Sequence, residues 1–203
     1  MTFTITALNC TLKRDNSPSS TDLLLQQVLD EFKDFAGASG EIIRMSQLTI
    51  HPGVSSDEGD GDEWPKIRQK IVDSDVLLVG TPIWMGQPSS ICKRVLERLD
   101  AFLGETDENG HFPSYGKCAA AVVVGNEDGA HHSSAEIFQA LNDVGFTIAP
   151  NAVSYWVGEA MQGTDYKDLE HKPRTVTKAT KMLVQNTAHL VGRMKNAPFP
   201  KMT

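Results

Sequence analysis

VLLVGTPIWMGQPSS (residues 76–90) runs from an unbroken apolar strand into a segment that keeps Ile83, Trp84 and Met85 between two prolines, with a glycine just after them. A loop from strand to helix lies in water and has only to turn the chain, so it is ordinarily short and polar. A tryptophan there points to a loop that is covered by something flat and apolar in the working protein. The alternative is a plug, with Trp84 folded back on the helix behind it. Pro82 and Pro88 stiffen the segment at both ends, and Gly86 lets backbone approach a ligand closely.

VLLVG (76–80) does not alternate, which requires burial on both faces, and CAAAVVVG (118–125) behaves alike. Three further runs read as strands: FTITAL (3–8), EIIRM (41–45) and one within FTIAPNAVSYWV (146–157). Apolar residues at three and four spacing predict helices over 21–36 and 175–194, with others over 64–73, 91–103 and 133–145. Strands alternating with helices of this length call for right-handed crossovers and a mostly parallel α/β sheet, doubly wound with helices on both faces. No repeat or long linker divides the chain, so residues 1–203 read as a single domain.

The 203 residues are 40% apolar and carry a formal charge of −7 without a basic cluster, which excludes an ordinary nucleic-acid binder. The N-terminus MTFTITALNC lacks a basic region and a long apolar run, and no stretch approaches the length of a membrane span. Cys10, Cys92 and Cys118 form no CxxC pair, as for reduced thiols in a cytoplasmic protein without a disulfide frame, zinc site or iron–sulfur cluster.

In a doubly wound sheet, ligands bind beyond the carboxyl ends of the strands where the strand order reverses. After the first strand, NCTLKRDNSPSSTD (9–22) carries the hydroxyls Thr11, Ser17, Ser19, Ser20 and Thr21 together with Lys13. Short O–H donors, free backbone N–H groups and the positive end of a helix dipole hold a phosphate; the plainer reading is an N-cap for the next helix. Neither GxGxxG nor GxxxxGK[ST] occurs here. A phosphatase built on Cys10 with C-x5-R spacing would need arginine at position 16, which is Asn16, and Arg14 comes too early. After the 118–125 strand, GNEDGAHHSS (125–134) brackets Asn126, Glu127 and Asp128 with Gly125 and Gly129. An aromatic loop facing this polar one makes a slot for a planar ring with polar edges.

With these three loops in view, the sequence resembles the NAD(P)H-dependent FMN reductase and flavodoxin-like flavoproteins. TPIWMGQPSSICKRVLERLD matches that family's S/T-P-I-Y-x-G segment and following helix, GNEDGAHH matches a variety of its later loop, and CTLK…SST matches its first loop loosely. The resemblance implies a flavodoxin-like fold with a five-stranded parallel sheet in the order 2-1-3-4-5. It also implies an FMN phosphate held by Thr11, Lys13, Ser19, Ser20 and Thr21. The isoalloxazine would be flanked by Pro82, Ile83, Trp84, Met85 and Gly86, with its pyrimidine edge against Gly125, Asn126, Glu127, Asp128 and Gly129. Relatives commonly pair so that a second subunit covers the flavin, which implies a homo-oligomer.

The expected activity is electron transfer from NAD(P)H through FMN to a quinone, flavin or similar small acceptor. The flavin carries the chemistry, so no acid–base residue is expected to be essential. The rival reading is a non-catalytic electron carrier between proteins. DEGDGDE (57–63) reads as a solvated loop without the oxygen register of a calcium site, and Lys93, Arg94, Glu97 and Arg98 as an ordinary charged helix face. His131 and His132 open a helix beside the ring slot, within reach of substrate or a partner subunit. His132 with Glu136 lacks a third metal ligand, so no metal is expected.

Overall fold

In the computed structural model, which describes residues 3–159 and 162–202, the carboxyl ends of the parallel strands gather the three loops at one edge of a single sheet. The strands are β1 (Thr4–Asn9), β2 (Ser39–Arg44), β3 (Val76–Trp84), β4 (Gln87–Pro88), β5 (Cys118–Gly125) and β6 (Thr147–Val157). The helices are α1 (Ser20–Ala36), α2 (Trp64–Asp73), α3 (Ser90–Leu99), α4 (Ala130–Asp143) and α5 (Arg174–Asn196). Five strands pair in parallel in the order β2-β1-β3-β5-β6, the expected flavodoxin-like order.

The central strands are apolar throughout because each feeds two cores. Leu77 and Val79 with Ala119, Ala121 and Val123 pack toward α2, α3 and α4. Val76 and Leu78 with Ala120, Val122 and Val124 pack toward α1 and α5. Local chemistry sets the helix ends: Ser19 caps α1 by accepting from the Asp22 N–H, and Gly37 closes it in the left-handed region at φ 64°.

Two features differ from the sequence reading. The sheet has a sixth, two-residue strand: β3 runs on through Pro82, Ile83 and Trp84 and folds back antiparallel onto β4, so the presumed loop is a β-hairpin. Its turn residues Met85 (φ 55°) and Gly86 (φ 73°) both have positive φ, the conformation of a type I′ turn that follows strand twist. Glycine adopts it freely, whereas methionine there is strained by about 1–2 kcal/mol. The Met85 N–H donates to Glu127 Oε1 at 2.9 Å, which anchors the turn.

The second difference lies in the acidic run. Asp62 and Arg98, read as solvated loop and charged helix face, have wholly buried side chains joined at 2.7 Å. Arg98 also donates to the carbonyls of His51 (2.9 Å) and Ser55 (2.9 and 3.1 Å), and its guanidinium lies over the Trp64 ring. Asp62 accepts N–H bonds from His51, Glu58 and Trp64. Burial pushes the Asp62 carboxyl up, yet these hydrogen bonds and Arg98 outweigh it and hold the group at about 2. The 51–63 segment is therefore pinned to α3 by Arg98, through its ion pair with Asp62 and its hydrogen bonds to the His51 and Ser55 carbonyls.

Candidate functional site

At the carboxyl edge a cavity of about 200 Å³ opens between the β1–α1 segment, the β3–β4 hairpin and the β5–α4 segment. Thr11, Lys13, Ser19, Ser20 and Thr21 line one part of it, and Pro82, Ile83, Trp84, Gly125, Asn126 and Glu127 line another. The structure thus brings most of the residues singled out from sequence into one space. Met85, Gly86, Asp128 and Gly129, also expected against the ring, are not on its wall. A Cβ on Gly129 would lie 2.7 Å from the Gly86 backbone, so the hairpin turn and the start of α4 touch there.

The β1–α1 segment is fixed from behind. Arg44, at the end of β2, pairs with Asp22 and donates to the carbonyls of Asp15 and Ser17, and Ser46 Oγ donates to the Lys13 carbonyl at 2.6 Å. Ser89, capping α3, accepts the Cys92 N–H at 3.1 Å and donates to the Cys10 carbonyl at 2.6 Å. Asp22 turns its charge to Arg44 and Asn9 Nδ2, which leaves the positive end of α1 facing the cavity. Thr11 and Ser19 already accept N–H bonds, from Lys13 and Asp22, so each keeps its own O–H proton for a ligand. Lys13 Nζ donates to the Pro18 carbonyl at 2.8 Å, which folds this cation over the segment. Such a donor set suits a phosphate.

At the other end, Trp84 is 54% exposed, so it is no core plug. Trp156 joins it on the wall, with its ring 5.5 Å from that of the buried Tyr166. Leu12, Val124, Trp156, Asp165 and Tyr166 line the cavity and were missed from sequence. Trp156 reaches the wall because it pairs with Val124, which brings the end of β6 to the same edge as the β5–α4 segment.

Other candidates resolve plainly. Cys10 is fully buried, and a hydrogen bond with Cys92, reinforced by burial, holds its thiol well above the ordinary range; it is no phosphatase nucleophile. His131 Nε2 meets the Tyr155 hydroxyl at 3.2 Å, and His132 Nε2 lies 2.9 Å from both Gln87 Oε1 and Glu136 Oε1. Neither histidine is on the cavity wall. Among the described residues no group of three metal-ligating side chains forms, and no helix is long and apolar enough to cross a membrane.

The family model of NADPH-dependent FMN reductases matches residues 3–162, which supply the β1–α1 segment, the hairpin and the β5–α4 segment around this cavity. The chain belongs to the NADPH-dependent FMN reductase family. Within reach of it lies the 8-demethyl-8-aminoriboflavin-5′-phosphate synthase of Streptomyces davaonensis, 31% identical over 202 residues, covering 95% of this chain and 78% of the synthase. A divalent metal cation transporter MntH of Mycobacterium bovis is 34% identical over 165 residues, 79% of this chain; the chain spans only 24% of that protein's length. Among solved structures, RosB with bound 8-demethyl-8-formylriboflavin-5′-phosphate superposes with a TM-score of 0.87 at 30% identity, covering 97% of this chain and 82% of RosB. Of these relatives, the synthase is named for a riboflavin phosphate and the RosB structure holds one.

Proposed function

We propose that the chain binds FMN in this cavity and passes electrons from NAD(P)H to a small acceptor such as a quinone or a free flavin. The observation that carries the reading is the division of one cavity into a hydroxyl-rich end at the α1 N-terminus and an aromatic end at Trp84 and Trp156. The residues fit the group. Thr11, Lys13, Ser19, Ser20 and Thr21 would hold the phosphate, Trp84 would lie along the ring, and Asn126 and Glu127 would meet its polar edge. The chemistry that FMN supplies when bound is reversible two-electron transfer. The chain's part is to bind and orient: the hairpin sets the position of Trp84, and the Met85–Glu127 bond ties the hairpin turn to the β5–α4 segment.

Trp84→Ala should lower FMN affinity about five- to tenfold, because an aromatic pair contributes on the order of 1 kcal/mol beyond area burial. Fluorescence titration checks this; equal affinity in variant and parent would place Trp84 at a different contact.

A second reading is favoured by RosB, whose bound molecule is itself a flavin phosphate altered at C8. There, FMN would be a substrate of this chain instead of its resident group. One assay separates the readings: the protein is incubated with FMN and NADPH, with and without a quinone, and the flavin is then weighed by mass spectrometry. NADPH consumption, with or without the quinone, that leaves flavin mass unchanged supports the proposal. An altered flavin supports the second reading, and no turnover with any acceptor supports an electron carrier.

A further inference from the structure

Asp165, Tyr166 and Lys167 lie beyond residue 162, where the family match ends, and yet Asp165 and Tyr166 line the cavity. This segment follows β6 and crosses between the two ends of the site. On one side the Lys167 N–H donates to Ser20 Oγ at 3.2 Å, on the α1 cradle. On the other, Asp165 Oδ1 accepts from Asn126 Nδ2 at 3.3 Å, in the β5–α4 segment. A ligand with its phosphate on the cradle and its ring against Trp84 would place its connecting chain between the two, within the cavity that Asp165 and Tyr166 line. In a riboflavin phosphate that connection is an open-chain polyol, a row of hydroxyl donors, and the group facing it is a carboxylate.

The bridge is held rigidly. The Tyr166 hydroxyl donates to Gln27 Oε1 at 2.7 Å. Lys172 Nζ donates to the carbonyls of Tyr166 and Leu169 at 2.9 Å each, and caps the Tyr166–Asp168 turn from below. Lys167 Nζ pairs with Asp168 and lies 3.4 Å from Asp165, so one cation is shared between two carboxylates. A carboxylate already oriented by Asn126 is a strong acceptor for hydroxyl donors.

We propose that Asp165 is the polyol-binding residue of this chain, accepting hydrogen bonds from ligand hydroxyls between the phosphate cradle and the ring slot. The assignment rests on the FMN reading of the cavity. It gives the segment past the family match a role in selecting flavins that carry an open-chain polyol.

Three ligands read it separately: lumiflavin has the ring alone, riboflavin adds the polyol, and FMN adds the phosphate. Lumiflavin and riboflavin are both neutral, so their comparison is free of the repulsion between Asp165 and a phosphate. The parent should bind riboflavin more tightly than lumiflavin. Asp165→Ala should weaken riboflavin about tenfold and lumiflavin far less; Asp165→Asn, which keeps the shape and a weaker acceptor, should fall between. Lumiflavin binding close to that of the parent also shows that the variant cavity is intact. Equal loss for both ligands, or no loss for riboflavin, overturns the assignment. A parent that binds none of the three ligands overturns instead the FMN reading beneath it.

Discussion

Asp62→Ala should lower the unfolding free energy by about 3–5 kcal/mol, because it leaves the Arg98 guanidinium buried without its charge partner. Three backbone N–H groups lose an acceptor as well. Replacing both members, Asp62→Leu with Arg98→Met, should cost much less, since no unpaired charge is then left inside. Acid should reproduce part of the effect. Asp62 is held at about 2 against an ordinary 3.8, so its contribution is complete above the unfolded value and is lost as pH falls through the folded one. That difference corresponds to roughly 2 kcal/mol, lost between about pH 4 and 2. Urea unfolding of parent and variant across this range checks both statements. A variant as stable as the parent, with the same acid profile, would contradict the pinning of the 51–63 segment.

The phosphate cradle carries the other large effect. FMN should bind two or more orders of magnitude more tightly than riboflavin, since charge-assisted hydrogen bonds contribute about 1.5–3 kcal/mol each and several are available. The formal charge of −7 opposes any dianion, so a preference for FMN must come from local donors. Replacing Ser20 and Thr21 by alanine should narrow the gap and leave riboflavin nearly unaffected. Ser20 Oγ also accepts the Lys167 N–H, so a small loss for riboflavin would trace to the bridge. Competitive titration of the two flavins measures the gap. Equal binding of FMN and riboflavin would reduce these hydroxyls to helix caps, the role Ser19 already fills for α1.

The strand order and the two cores were legible because β3 and β5 are apolar on successive residues, which only a doubly covered strand tolerates. The hairpin was not legible. Two prolines read as loop, and its turn is Met-Gly where Asn-Gly is the usual signal, so a non-glycine residue at positive φ hid it. Asp62 was misread for a different reason: a carboxylate among six other polar or glycine neighbours looks solvated, and its partner lies on a distant helix among exposed charges. Asp165 and Tyr166 sit in a polar stretch with no period, and only the tertiary path from β6 back to α1 brings them to the cavity.

The most direct measurement mixes the purified chain with excess FMN, passes it through a desalting column and reads flavin absorbance in the protein fraction. Retention of one FMN per chain by the parent, with strong depletion in a variant combining Trp84→Ala, Ser20→Ala and Thr21→Ala, is the expected result. A parent fraction without flavin, or equal retention by parent and variant, would contradict binding of FMN in this cavity.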